Sequence, residues 1–399
     1  MDNLQAVKLS ERVFWVGVID WNLRDFHGYQ TQRGSTYNAF LVMGQKPILI
    51  DTVKAPFQEE FLARINSVIE PKKIKYIISN HTEMDHSGLL PEMVELINPE
   101  KVFASSKGVE HLNRHFSFSR EITPVKNGET IMLGDCRFSF IEARMLHWPD
   151  SMFSYFHDEK ILFSSDAFGM HLASSERFDH QLDWSVLEYE AKKYYANIIQ
   201  LYSPVVLKTL EKVSAMNLEF KLIAPDHGPL WAKNQENIIG LYKKWAEQKP
   251  SRKALVVYDT MWNSTQKLAV AIADGLIKSG VSTKLMKLRE NSRADVVTEA
   301  IDAGVVAFGA PTINNSVFPT LADCLVYYKG LRPQNKLGAV FGSYGWSGES
   351  LKYLKEMMES MKIPVLGELS CQFVPGQETI DQAVALGVSL AEKLKETVK

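Results

Sequence analysis

Three cysteines in 399 residues, Cys136, Cys324 and Cys371, are too few and too scattered for a disulfide framework. No C-x-x-C pair exists, which excludes a four-cysteine iron or zinc site on this chain. The three read as buried apolar residues of a reducing cytoplasm. No apolar run approaches the length that spans a bilayer, and the opening residues 1–8 carry no uninterrupted apolar core of a signal peptide. Lys and Arg number 45 against 47 Asp and Glu, a formal net charge of -2. There is thus no global basic field to attract a nucleic acid, and no like-charge block reads as a tail. The P-loop lysine motif and the G-x-G-x-x-G of a dinucleotide site are also missing. A cytoplasmic protein with neither a nucleic-acid nor a membrane partner is expected.

What is present is ordinary for a globular protein, 45% hydrophobic and 23% charged, and long enough for two domains with sizeable cores. One stretch organises the first half. The apolar, β-branched run at 74–79 predicts a buried strand, and directly after it come His81, Glu83, Asp85 and His86, four potential metal ligands within six residues. A strand alternates its side chains between faces and cannot aim all four at one point. A loop leaving the strand's carboxyl end can, with Gly88 giving the backbone room to turn. Four further ionisable residues follow three extended stretches in the same way. Residues 138–145 run into His147, 160–164 into Asp166, and 221–224 into Asp226-His227-Gly228. Ligand sites in layered α/β folds collect on such strand-end loops.

Around these the pattern predicts strands at 12–19, 37–42, 47–50, 101–105, 129–133 and 137–143, and helices at 55–69, 89–96, 107–116 and 183–201. Antiparallel ribbons mixed with helices suit an α/β sandwich of two sheets flanked by helices. His111 and His115 lie four apart on a predicted helix, but with Arg114 adjacent and no carboxylate nearby they read as a solvated face. His27, in a loop rich in Gly, Arg and aromatics, and His171, soon after Asp166, are candidates for lining a substrate pocket.

Beyond a short polar joint at 248–253 the pattern changes. Strands at 254–258, 281–288, 305–310, 337–343 and 364–370 each precede helical spacing, which argues for a doubly wound parallel sheet. The first of these helices carries Leu268, Ala269, Ile272, Leu276 and Ile277 on its apolar face. At its start Thr260, Met261, Trp262, Asn263, Ser264 and Thr265 crowd a helix N-terminus with hydroxyls, where free N–H groups and the dipole favour a phosphate. Two later strand ends carry Pro311, Thr312, Ile313 and Asn314, and Ser343, Tyr344, Gly345 and Trp346.

H-x-E-x-D-H at the end of a strand resembles the H-x-H-x-D-H of the metallo-β-lactamase fold, with Glu83 in place of the second histidine. Imidazole-rich sites suit zinc; mixed histidine and carboxylate sets suit iron or manganese. In that form the chain resembles the flavodiiron proteins, over roughly residues 7–245. Residues 253–399 resemble flavodoxin, whose corresponding three loops hold FMN. The resemblance implies an N-terminal metallo-β-lactamase-like αβ/βα sandwich at 1–249 and a C-terminal flavodoxin-like, doubly wound parallel sheet at 250–399. It implies one iron on His81, Glu83 and His147, a second on Asp85, His86 and His227, and Asp166 bridging, although in some family members the residue matching His86 does not bind metal. It also suggests that Tyr194 or Tyr195 faces the metals. The implied activity is reduction of O2 to water or NO to N2O at a non-haem diiron site fed by FMN. The donor would be rubredoxin, a separate reductase or a reduced deazaflavin, and the assembly a head-to-tail homodimer or a dimer of dimers. A binuclear zinc hydrolase of the glyoxalase II kind and a non-catalytic flavin electron carrier are the alternatives.

Overall fold

In the computed structural model, which describes residues 4–398, short apolar strands alternating with helices build two units of different construction. One comprises the described residues up to Tyr194 together with Pro204–Lys243; the other comprises Tyr195–Ser203 and the described residues from Lys244 onward.

The first unit is a sandwich of a seven-stranded and a five-stranded sheet. In the larger sheet, Val7–Lys8, Val13–Trp15, Phe40–Val42 and Ile48–Ile50 pair antiparallel, and Tyr76–Ser79, Lys101–Ser105 and Ile122–Val125 then add in parallel. In the smaller, Thr130–Leu133, Cys136–Glu142, Met152–Phe156 and Ile161–Phe163 are antiparallel, and Leu222–Ala224 joins in parallel. Between the sheets lie Phe40, Ile50, Ile78, Phe103, Phe138, Phe140, Phe156 and Phe163. Helices Gln58–Asn66, Leu90–Ile97 and Ser106–His115 cover the far face of the larger sheet through Phe61, Ile65, Met93, Val94 and Leu112.

Two strands expected as single pieces are each broken. Residues 12–19 divide into Val13–Trp15 and Val18–Asp20, and residues 37–42 fall into Ser35–Tyr37 and Phe40–Val42. At the break Asn38 leaves the ladder: its side chain accepts from Trp15 Nε1 (2.8 Å) and donates to the carbonyls of Pro225 (2.7 Å) and Gly228 (2.9 Å). Gly17 is needed opposite, since a Cβ there would lie 2.3 Å from the Tyr37 carbonyl. Apolar alternation continues through both breaks, so periodicity could not reveal them.

The second unit is a five-stranded, wholly parallel sheet in the order Ser282–Lys287, Ser251–Tyr258, Ala303–Ile313, Leu337–Tyr344, Val365–Gln372. The short strand Ser316–Val317 folds antiparallel onto the end of Ala303–Ile313. Helices Ser264–Lys278 and Gln377–Thr397 bury Leu268, Ile272, Leu276, Leu390 and Leu394 against the sheet. Ile277 is not part of that apolar face: it is exposed, one position beyond the buried stripe. The strand order reverses direction at Ser251–Tyr258 and Ala303–Ile313, the kind of switch point where ligands bind in open α/β sheets.

Candidate metal centre and flavin cleft

Strand Tyr76–Ser79 ends on the buried His81, but the motif beyond it is not a loop throughout. Met84–Ser87 makes one helical turn that carries Asp85 and His86. Gly88 has an ordinary helical φ of -61°, so its role is not to turn the chain. A Cβ there would stand 2.3 Å from the Met84 carbonyl, and close approach is what requires glycine.

The strand-end residues converge as two donor sets that share one carboxylate. His147 Nε2 lies 3.1 Å from Glu83 Oε2 and 3.0 Å from Asp166 Oδ2; His81 Nε2 lies 3.4 Å and 3.3 Å from the same two oxygens. On the other side His86 Nε2 and His227 Nε2 stand 3.4 Å and 3.3 Å from Asp85 Oδ2, and each is 3.4 Å from Asp166 Oδ1. Donor atoms bound at about 2.0–2.2 Å to one cation stand about 3.0–3.5 Å from each other, the range seen in both sets. The first set offers one ligand atom each from His81, Glu83, His147 and Asp166, and the second from Asp85, His86 and His227. The buried His81 Nε2, both His86 ring nitrogens and all four carboxylate oxygens of Asp85 and Asp166 lack hydrogen-bond partners. Unpartnered polar atoms at that depth cost several kcal/mol in total unless a cation takes them. The residues therefore fit a pair of metal ions.

Electrostatics reports the same strain. Burial pushes the Asp166 carboxyl up, but His147, His81 and His86 facing it outweigh that and hold it well below the ordinary carboxylate range. Burial pulls His86 down, yet Asp85, Asp226 and Asp166 raise it to about 10; His147 is raised to about 9, burial again opposing, by Asp166 and Glu83. Protons on these imidazoles stand where cations would neutralise the carboxylates.

Outer partners fix which ring nitrogen points inward. His227 Nδ1 donates to the Thr36 carbonyl at 2.6 Å, leaving Nε2 to the cluster. His81 Nδ1 lies 3.1 Å from Asp150 Oδ2, which also accepts from the Thr82 N–H at 2.8 Å. Asp150 Oδ1 in turn lies 3.3 Å from His111 Nδ1. The solvated-face reading of His111 is corrected here: a carboxylate partner exists, 39 residues away in sequence, and the ring is largely covered. Asp150 and Asp226 were missed as site residues, although both stand in the polar strand-end clusters.

Of the pocket candidates, His27 sits at φ 54° on the tip of hairpin Asp25–Phe26/Tyr29–Gln30, 78% exposed, with Nε2 3.6 Å from Glu83 Oε1. His171 is buried, its Nδ1 2.8 Å from Ser35 Oγ, its ring 4.6 Å from that of His227, and its Nε2 unpartnered. Burial, reinforced by His227, lowers its pKa well below the ordinary value, so the ring is neutral. Tyr194 ends helix Trp184–Tyr194 with its ring 5.9 Å from that of His227; burial first, then Asp166, raises its phenol well above the usual value. Tyr195 begins a π-helical turn, Tyr195–Ile199, where the expected continuous helix changes pitch, and its hydroxyl pairs with Ser203 Oγ at 3.0 Å.

In the second unit the strand-end loops enclose a cavity of about 480 Å³ lined by Met261, Trp262, Ser264, Pro311, Thr312, Asn314, Ser343, Tyr344, Gly345 and Trp346. Trp262 and Trp346 are 90% and 87% exposed at its mouth. Thr260 lies beneath, buried, with Oγ1 unpartnered, aimed at no protein acceptor. Asn263 takes φ 66° at the helix start, and Thr265 Oγ1 turns to Ser343 Oγ (2.8 Å). Thr260, Asn263, Thr265 and Ile313 are not on the cavity wall; Asn315 and Ser347, at the ends of the two expected loops, are, and so are Phe373 and Val374, which were not anticipated. Phe373 and Val374 follow the fifth strand, so the strand-end rule applied once more would have found them.

Comparison with known proteins agrees with both halves. Residues 35–228 match the ODP family beta lactamase and residues 256–387 match Flavodoxin. The chain is 43% identical to a nitric oxide reductase of Moorella thermoacetica, over 98% of this chain and 100% of that protein. The structure of rubredoxin oxygen:oxidoreductase from Desulfovibrio gigas superposes with a TM-score of 0.96 at 43% identity, covering 98% of this chain and 99% of that one. That of the flavodiiron protein from Giardia intestinalis gives 0.94 at 34%, covering 99% of each. With both domains matched in order and 98–99% of the chain covered by these relatives, the chain belongs to the flavodiiron protein family.

Proposed function

We propose that the protein is an oxidoreductase that reduces O2 to water, NO to N2O, or both, with two non-haem irons binding the diatomic and FMN supplying the electrons. The observation that carries this is the placement of the two Asp166 oxygens, each 3.0–3.4 Å from the imidazoles of a different donor set. His81, Glu83 and His147 are assigned to one iron, Asp85, His86 and His227 to the other, and Asp166 to both. The unpartnered inner nitrogen of His86 supports its inclusion. Three carboxylates among seven donors suit iron better than zinc, which weighs against the hydrolase alternative.

The chain's own part is to hold donors, protons and water in place. His171 stays neutral, with Nε2 unpartnered beside His227, and Tyr194 keeps its phenol proton next to Asp166. Both are assigned to the substrate pocket, where the Tyr194 phenol can donate a hydrogen bond to a reduced, anionic oxygen and the neutral His171, its Nδ1–H given to Ser35, can accept a proton at Nε2. His27 is assigned to the pocket mouth, a polar group that can exchange protons with solvent. In the second unit Thr260, Met261, Trp262, Asn263, Ser264 and Thr265 are assigned to the FMN phosphate. Pro311, Thr312, Ile313, Asn314, Ser343, Tyr344, Gly345 and Trp346 are assigned to its ring. The cavity has room for one mononucleotide, and no dinucleotide fingerprint is present.

The same reading divides the chain near residue 249 into diiron and FMN domains, places it in the cytoplasm, and takes the unit of function as a head-to-tail homodimer. Three unpaired, buried cysteines support the compartment. Among the described residues no helix is long and apolar enough to cross a membrane. A rubredoxin is the proposed donor, on the name of the Desulfovibrio gigas relative. Metal and flavin analysis of the purified protein, then stopped-flow mixing of the reduced protein with O2 and with NO, tests the function. Two irons and one FMN per chain with rapid reoxidation are expected. Full reductase activity in zinc-only protein would overturn it.

A further inference from the structure

A second cavity, of about 430 Å³, is lined wholly by residues of the first unit. Its floor is the outer face of the five-stranded sheet, through Phe153 and Leu162, which alternate with the core residues Met152 and Ile161. Its roof is the segment 206–220, with Val206 and Leu210 pointing in. Ser214, Asn217 and Glu219, all exposed, form a polar rim.

The inner wall is what gives the cavity meaning. Leu146 and Phe168, both buried, line it, and they flank His147 and Asp166 in the chain. Phe168 is held with φ 68° by two side chains: its N–H donates to Tyr242 Oη (2.7 Å) and its carbonyl accepts from Trp231 Nε1 (2.8 Å). The hydroxyl of Tyr242, also on the wall, is thereby engaged, which leaves the buried Thr209 as the polar residue of the deep part. Predominantly apolar cavities take up apolar solutes such as xenon.

We propose that this cavity is a gas-holding chamber, from which dissolved O2 or NO reaches the metal donors between Leu146 and Phe168. The proposal rests on the reductase reading given above. It gives the apolar gas an approach of its own, past Leu146 and Phe168. A dissolved diatomic gains by leaving water for an apolar space, so the chamber raises its local concentration without any specific contact.

The test uses iron- and FMN-loaded protein. Crystals pressurised with xenon should show xenon in the cavity, and xenon in solution should raise KM for O2 competitively. Leu210→Trp and, separately, Val206→Phe narrow the chamber without touching a metal donor. Each should raise KM for the gas about fivefold and leave kcat at saturating gas within about twofold. If either variant fails to fold, the two xenon measurements on the unaltered protein decide. No xenon in the cavity, an unchanged KM in both folded variants, or a co-purifying lipid filling the space would overturn the chamber while saturated turnover kept the reductase reading intact. Absence of turnover on either gas would fail that reading and take the chamber with it.

Discussion

At the scale of single residues, Asp166 is the side chain on which the site turns. Its two oxygens face different donor sets, and no other carboxylate in the cluster is placed to neutralise two cations at once. Asp166→Asn replaces one anionic oxygen by an amide that cannot serve a cation. Turnover should fall by at least about 100-fold, with iron content dropping toward one or none per chain, read by steady-state gas consumption and metal analysis. Asp150 acts one step further out. It orients His81 through Nδ1 and holds the Thr82 N–H, while His111 leans on its other oxygen. Burial pushes its carboxyl up, but His81 and Thr82 outweigh this and bring it to about 2. Asp150→Ala should therefore lower iron affinity about 10–100-fold, measured by competition with a chelator, because such outer partners set ring orientation and basicity. His111→Ala, which removes only the outermost link, should cost much less.

At the scale of elements, the broken strands are devices for holding the His227 loop. Asn38 ties Trp15, Pro225 and Gly228 together, while the Thr36 hydroxyl accepts from the Gly228 N–H at 2.7 Å. Asn38→Ala would strand three buried partners, at about 1–3 kcal/mol each before relaxation. The denaturant midpoint of the protein should shift down by the equivalent of about 3 kcal/mol, and iron should be lost in parallel. The flavin loop makes a second element-scale case. Thr260 and Ser264 keep hydroxyls free for a phosphate, whereas Thr265 spends its own on Ser343. Thr260→Ala and Ser264→Ala should each weaken FMN binding by about 1.5–3 kcal/mol, the worth of a charge-assisted hydrogen bond, and Thr265→Ala by less. Titration of the flavin-free protein followed by fluorescence would measure this, and recovery of FAD on acid release would contradict the mononucleotide assignment. These elements also mark how far the sequence could be read. Strand ends loaded with His, Asp and Glu are visible because ligands and strands leave local signatures, and the doubly wound sheet is visible in its repeating strand–helix spacing. The supports are not. Asn38 meets Pro225 across 187 residues and His81 meets Asp150 across 69, so no local pattern connects them. The one-turn helix under Asp85 and His86, and the π-helical turn after Tyr194, are likewise set by what packs around them rather than by propensity.

At the scale of the whole molecule, the surface of a single chain is unfinished. Trp262 and Trp346 stand almost fully exposed at the mouth of the flavin cavity, with Phe373 and Val374 beside them, and on the first unit Met84, within the metal motif, is exposed. Large apolar side chains grouped at two functional mouths mark surfaces that a partner covers. Helix Gln235–Ala246 and strand Ser251–Tyr258 are joined by only residues 247–250, a short span with a proline. The head-to-tail dimer proposed above, in which one chain's FMN serves the other chain's irons, would satisfy both mouths through a single repeated interface. Complementation tests it. One chain is made metal-dead by His81→Ala with Asp166→Asn, and a second, differently tagged, is made flavin-dead by substitutions at Thr260 and Ser264 strong enough to abolish binding. Each homodimer should be inactive. In a purified mixed dimer the first chain retains its FMN and the second its irons, so donor-driven gas reduction should return to about half the rate of the unaltered dimer, one of two sites being whole. Mixed dimers that hold one flavin and one iron pair yet stay inactive would mean that electrons pass within a chain, and the head-to-tail arrangement would have to be abandoned.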